Sequence, residues 1–329
     1  MHIHEHLDIR GQKVALAGFW SHKNMGDELI LLGNIKLLQA QGKDIYVIAH
    51  DIPRIQSFLK QSIAIDDITF LQELPRGIRS AWEYFTSAKR TQLKTFWQID
   101  TIILWWGEIF TEESPHAYYY WLRSIRPALF CRKHLYLMWG IQTPTKRYNK
   151  LLWKWIMHHT DKIYTRDHDE TEKIKKSEYS HVEFFMDTSY FAYPRKDYHI
   201  TPQKKYIVVN INSKGLPFLQ DLAKEVQTYS AQGYDIYYVP VCVGPSDDDR
   251  PHLKTLQKMI GSATKIQILE WTKDFWAFLQ TLWWASKVIS ARLHLFLISE
   301  FIWLSTKVYP YQKKILKMQH IIQHYKDTL

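Results

Sequence analysis

Residues 206–242 read YIVVNINSKGLPFLQDLAKEVQTYSAQGYDIYYVPVC, and their pattern decides the fold. Residues 206–211 form an apolar run suited to a strand, and residues 218–232 carry the spacing of an amphipathic helix that Gly233 ends. Residues 235–242 supply a second strand. A strand, a helix and a strand in succession make a crossover unit, which pairs its strands in parallel within a sheet covered on both faces.

The same alternation extends both ways. Downstream it predicts a helix over 250–260, a strand over 265–270, a helix over 273–284 and a short buried strand over 287–290. A helix begins close to Arg292, and a last one runs from 311 to about 327 with Ile315, Leu316, Met318, Ile321 and Ile322 on one side. Upstream the strands fall at 13–19, 44–49, 101–105, 134–139, 162–164 and 182–186, with helices at 27–41, 78–96, 116–131 and 147–158. Residues 193–203, YPRKDYHITPQ, are polar, carry two prolines and have no period, so they read as a linker. The expectation is α/β: two Rossmann-like parallel-sheet domains, 1–195 and 196–329, facing a cleft at the carboxyl ends of both sheets.

Composition agrees. Hydrophobic residues make up 46% of the 329, enough for two cores. The most apolar region, 275–304, is broken by Gln280, Lys287, Arg292, His294 and Glu300, so no membrane span is expected. The opening MHIHEHLDIR lacks the apolar core of a secretory leader, and the two cysteines, Cys131 and Cys242, have no metal or redox spacing. They read as reduced core residues of a cytoplasmic protein. A net charge of +10 and a pI of about 9.3 favour anionic partners. A phosphorylated metabolite or a lipid-pyrophosphate glycan at an anionic membrane surface fits better than nucleic acid, because the basic residues are scattered and no groove-reading motif is present.

Three loops carry chemistry. Residues 18–28, GFWSHKNMGDE, follow the first strand and open a helix, where backbone N–H groups bind anions and Gly26 permits close approach. The stretch matches neither a dinucleotide fingerprint nor a P-loop, and taken alone it reads first as Asn24 or Asp27 capping a helix. Thr165-Arg166-Asp167 ends a strand, so Arg166 can face the cleft and grip a carboxylate or phosphate; a surface Arg166–Asp167 pair is the alternative. Ser290-Ala291-Arg292-Leu293-His294 joins a fixed cation to a group that titrates near neutrality, against the alternative of a satisfied core histidine.

In order and spacing, these stretches resemble the polysaccharide pyruvyl transferase family. The Asn-x-Gly-Asp-Glu loop is similar to its N-terminal motif, Thr165-Arg166-Asp167 to its arginine–aspartate motif, and Arg292-Leu293-His294 to its arginine–leucine–histidine signature. Residues 186–191, MDTSYF, and 311–315, YQKKI, also match, so the likeness covers about residues 14–315. It implies a glycosyltransferase-B-like fold that moves pyruvate from phosphoenolpyruvate to a sugar as a ketal, with no metal or cofactor. Arg166, Arg292 and Lys314 would hold the donor, and His294 would be the acid acting on its methylene carbon beside Arg292. Asn24, Gly26, Asp27 and Trp106 would face the acceptor. Glycine-rich loops of the family are replaced by Trp105-Trp106-Gly107-Glu108 and Trp139-Gly140-Ile141-Gln142-Thr143-Pro144. Two rivals therefore stand beside it: a sugar-nucleotide glycosyltransferase on the same fold, and an inactive glycan-binding relative.

Other signals read as ordinary structure. Ser246-Asp247-Asp248-Asp249, followed by Pro251, suits a solvated acidic helix start better than a metal-binding Asp-x-Asp. His2, His4 and His6 suit a frayed terminus. Most of the 14 tryptophans read as core; Trp105, Trp106 and Trp139 are the exceptions, ending strands at the cleft.

Overall fold

The computed structural model describes residues 7–18, 20, 22–73, 87–105, 133–138, 143–177, 179–193, 205–244, 247–311 and 313–326. Seven parallel strands form one sheet in the order β3-β2-β1-β4-β5-β6-β7. They are β1 Lys13–Gly18, β2 Asp44–Ala49, β3 Ile68–Gln72, β4 Thr101–Trp105, β5 His134–Met138, β6 Lys162–Thr165 and β7 Val182–Phe184. Five more make a second parallel sheet, β10-β9-β8-β11-β12: β8 Tyr206–Asn210, β9 Asp235–Tyr238, β10 Ile266–Ile268, β11 Lys287–Ser290 and β12 Thr306–Val308. In each sheet the strand order reverses once, between β1 and β4 and between β8 and β11. Loops leaving strands at such a reversal are where α/β sheets bind ligands.

Most of these elements fall where the sequence pattern predicts them; β3 and β12 are the exceptions. Both are edge strands, only partly buried along their length, so their apolar signal is weak. The run expected to extend to Cys242 leaves the sheet at Tyr238. Pro240 has no N–H to give, and the amides of Val241 and Cys242 donate to the Asp249 carboxylate instead. The helix expected over 116–131 lies outside the described residues, as do residues 78–86 of its predecessor.

Helix α1, Met25–Ala40, is buried at every position except Lys36, Gln39 and Ala40. It is apolar nearly all round because it is covered from several sides: it lies on the first sheet and against the 3-10 turn Thr188–Ala192. At Gly33 a β-carbon would fall 1.7 Å from the Thr188 carbonyl oxygen, so glycine there is what allows this close packing. The opposite face of the same sheet is covered by α3 Ser87–Gln98, α4 Arg147–His158 and α5 His168–Lys176, through Phe96, Trp153, Ile156, Met157 and Ile174. Each such fully buried side chain contributes roughly 1.5–3 kcal/mol.

The two halves share one core. Phe58 on α2, Ile52–Lys60, packs edge-on against Trp271 (6.3 Å) and Phe275 (5.4 Å) of the second half. Gln61 accepts the Phe275 amide through Oε1 at 2.7 Å and the Trp276 indole through its carbonyl. Around the second sheet lie α6 Leu219–Ala231, α7 Arg250–Ile260, α8 Phe275–Trp283 and α9 Leu293–Phe301. The last helix, α10 Lys313–Lys326, packs on α9, and its Lys317 returns to the first half with 2.6 Å and 3.1 Å contacts to Asp167 and Asp169. Among the described residues no helix is long and apolar enough to cross a membrane. Cys242 is buried, and burial pushes its thiol up to about 11, as suits a core cysteine; Cys131 lies outside the described residues.

Candidate active site

The site is assembled where strands end. Strand β11 stops at Ser290, whose hydroxyl accepts the Arg292 amide (2.9 Å) and donates to the Arg292 carbonyl (3.0 Å). This turn leaves Arg292 extended at the N-cap of α9, and its side chain, which has no acceptor with which to cap the helix, is free to pair with the acidic segment after β9. His294 follows in the first helical turn.

Arg292 is held by two carboxylates. Its Nη2 lies 2.5 Å from Asp249 Oδ1 and 2.6 Å from Asp247 Oδ2, and Nε is 3.2 Å from both Asp249 oxygens. Burial alone would favour loss of its proton, but Asp249 and Asp247 outweigh that and fix the charge. The two acids differ. Asp249 is fully buried, and its Oδ2 also accepts the amides of Val241 and Cys242 and the side-chain amide of Asn210. The Asp247 side chain is 40% exposed. The expected solvated acidic start is therefore corrected: Asp248 pairs with Arg250 at the surface, whereas Asp249 is a buried counter-ion that the packing of β8 and the segment after β9 closes off. The acidic run signalled it, and only burial separates the three.

Arg166 follows β6 and is buried. Its Nη1 donates to Asp187 Oδ2 at 2.6 Å; no pair with Asp167 forms, because Asp167 caps α5 and binds Lys317. Asp187 is completely buried at the start of the Thr188–Ala192 turn, where Oδ1 accepts the Ser189 amide. Burial would push its carboxyl up, but His294 and Arg166 more than compensate and hold it well below the usual carboxylate range. No role for Asp187 follows from the sequence motifs; an aspartate that opens a turn just beyond a strand, here β7 ending at Phe184, is the signal that points to it.

His294 joins the halves. Its Nε2 stands 3.8 Å from Asp187 Oδ2, within ion-pair range and beyond a direct hydrogen bond. Its ring lies against Gly26, where a β-carbon would fall 1.9 Å from Nδ1. Gly26 is therefore required by contact with the imidazole. The Asn24 carboxamide accepts the Gly26 amide at 3.1 Å, so it caps α1, and its backbone bridges to Cys242. Met25 N donates to the Val241 carbonyl and Val243 N to the Lys23 carbonyl, both at 3.0 Å, which stitches this loop to the second half. Asp27 is buried.

Glu28, the next residue of α1, is buried and paired with Arg54. Burial raises its carboxyl from the usual 4.5 to about 7 against the pull of that arginine. The tryptophan expectation needs correction at one position: Trp105 is buried and stacks on Trp20 with ring centres 5.6 Å apart, so it is a core residue. Trp106 and Trp139 lie outside the described residues, as does the side chain of Lys314. Among the described residues no group of His, Cys, Asp and Glu could hold a metal ion.

The described site thus brings Arg166, Asp187, His294 and Gly26 into one contact chain, with Arg292 two residues from His294. A family model described as polysaccharide pyruvyl transferase matches residues 24–299. No curated protein matches the chain by sequence. Solved structures share its fold at low identity. The UDP-GlcNAc 2-epimerase from Neisseria meningitidis bound to UDP-GlcNAc aligns with TM-score 0.55 at 10% identity, over 95% of this chain and 90% of that one. Anabaena Alr3699/HepE in complex with UDP and glucose gives 0.54 at 10%, over 95% and 89%. The S. aureus MnaA–UDP structure gives 0.54 at 12%, over 94% and 86%. The likeness is one of fold: two parallel-sheet α/β halves of glycosyltransferase-B type.

Proposed function

The chain belongs to the polysaccharide pyruvyl transferase family, and from that membership we propose that it moves the pyruvyl group of phosphoenolpyruvate onto a sugar of a cell-surface polysaccharide or its lipid-linked precursor, at the cytoplasmic face of the membrane. The observation that carries the reading is His294, a titratable group that reaches the buried Asp187–Arg166 pair and stands two residues from Arg292. A cation and a proton donor on one turn suit a small anion whose enol carbon must be protonated.

In this mechanism Arg292, Arg166 and Lys314 supply positive charge to the donor's carboxylate and phosphate. Asp249 stays on Arg292, since its other oxygen is committed to three further donors; the exposed Asp247 gives way to the incoming anion. His294 protonates the methylene carbon, which becomes a methyl group, and the adjacent carbon becomes electrophilic. One sugar hydroxyl adds there and returns its proton to His294. Phosphate leaves with the C–O bonding pair, and a second hydroxyl closes the ketal, its proton passing to the phosphate. The acceptor lies toward Asn24, Gly26, Asp27 and Trp106. In the proposed reaction the residues of this chain supply both the charge and the proton.

The test is a thermal-shift series with phosphoenolpyruvate, UDP, GDP and CMP, followed by phosphate release in the presence of glycan acceptors. Stabilisation by phosphoenolpyruvate with acceptor-dependent phosphate release is expected. Stabilisation by a nucleotide alone would instead identify a sugar-nucleotide glycosyltransferase. Sugar binding with no response to any of the four would identify an inactive glycan-binding relative.

A further inference from the structure

Helix α4, Arg147–His158, has a face that the protein core does not use. It buries Asn149, Trp153, Ile156 and Met157 against the first sheet. On the other side Tyr148 is 57% exposed, Leu151 68% and Trp155 39%. At about 100° per residue these three fall within roughly 60° of one another, a continuous apolar strip. Arg147, Lys150 and Lys154 lie on the adjoining arc, all exposed. Residues 146–159 contain no aspartate or glutamate. In the same layer of helices Trp97 is 55% exposed, and Lys133 donates to its carbonyl at 2.6 Å.

We infer that this face of α4 is a membrane-docking surface that binds anionic lipid. Single exposed apolar residues need no explanation, but an aromatic and aliphatic strip beside a strip of unmixed positive charge does. Tryptophan and tyrosine suit the boundary between headgroups and acyl chains, and the lysines suit the negative potential of an anionic leaflet. A second copy of the chain fits the face poorly, because a two-fold contact would set the same lysines against one another. The docking also has a direction. The start of α4 lies at the carboxyl edge of the first sheet, where the Thr143 amide and hydroxyl donate to Glu170 in the first turn of α5, at 2.7 Å and 2.5 Å. Arg166 leaves β6 at that same edge. Lipid bound at the start of α4 would lie at that edge, which, on the function proposed above, is where a lipid-linked sugar enters.

The test uses the full chain and vesicles, without donor or turnover, so its outcome is independent of the proposed reaction. Wild type is expected to co-sediment with vesicles of phosphatidylcholine mixed with phosphatidylglycerol, and to partition at least about tenfold less onto phosphatidylcholine alone. Added salt should weaken the first. Leu151→Glu with Trp155→Glu should abolish sedimentation, and Lys150→Glu with Lys154→Glu should remove the preference for anionic vesicles. All four residues are exposed, so melting temperatures should match wild type. A wild type that stays in the supernatant, or an apolar double variant that sediments like wild type, overturns the inference. So does sedimentation velocity showing a dimer that only the apolar double variant dissolves, with no lipid binding.

Discussion

His294 Nε2 lies 3.8 Å from Oδ2 of Asp187, across the junction of the two sheets. The imidazole belongs to the second half of the chain and the carboxylate to the first, so the contact exists only while the halves are packed together. The packing that sets it is unusually close: α1 touches the Asp187 turn through Gly33 and the imidazole through Gly26.

His294 should be needed for turnover more than for folding. A positioned acid contributes about 10²–10⁴-fold, so His294→Ala should lose that much while donor affinity largely survives. His294→Gln keeps a hydrogen bond and gives up no proton, and should be nearly as slow. Turnover measured beside melting temperature decides: two variants that melt like wild type and turn over at its rate remove the acid assignment, and two that unfold make His294 a core residue.

Arg292 should govern donor affinity. Arg292→Ala should raise the donor's Kd by about tenfold or more, a charge-assisted bond being worth roughly 1.5–3 kcal/mol. Lys in its place should rescue poorly because an ammonium lacks the planar fork. Asp247→Asn should act oppositely, tightening donor binding by up to about fivefold, since a partly exposed competing ion pair is worth about 0.2–1 kcal/mol. Calorimetric titration of all three reads this directly; weaker binding by Asp247→Asn would show that the donor does not replace that carboxylate.

Gly26→Ala should displace the imidazole. The added methyl would enter the ring's space, and a shift of about 1 Å at a reacting group can cost about 10²-fold in rate. The accompanying loss of stability should be about 1–3 kcal/mol, as for other overpacked sites. Rate and chemical-denaturation midpoint together test it; an alanine variant with wild-type turnover would mean that His294 has no fixed place in the reaction.

Glu28 should make stability fall as pH rises. Its carboxyl is raised from 4.5 to about 7 in the folded chain, so between those values the folded state holds a proton that the unfolded state has released. The stabilisation is complete below about pH 4.5 and is lost as pH approaches 7; above 7 the curve levels. Glu28→Gln removes this dependence, so its stability relative to wild type should climb by about 3 kcal/mol at most over the same window. Denaturation at several pH values checks it, and parallel curves for the two proteins would contradict it.

Much was legible in sequence because it is local. The alternation of strand and helix periods around residues 206–242 requires parallel sheets, and a parallel strand that turns into a helix presents its last residues at the ligand-binding edge. That logic alone picks out Gly26, Arg166, Arg292 and His294, which follow β1, β6 and β11. Partners were not legible. Arg166 finds Asp187 21 residues away and Arg292 finds Asp249 43 residues away. Which carboxylate meets which cation depends on strand order, since β6 and β7 are neighbours while β9 and β11 are separated by β8. Burial was equally hidden: Asp247, Asp248 and Asp249 are the same residue type in sequence, and only the strands and amides packed around the third make it a fixed counter-ion. Residue type and local period determine where the chain can present a charge. Desolvation by parts of the chain distant in sequence decides whether that charge is a solvated surface group, a structural pair or a reactive site, and only the folded packing supplies it.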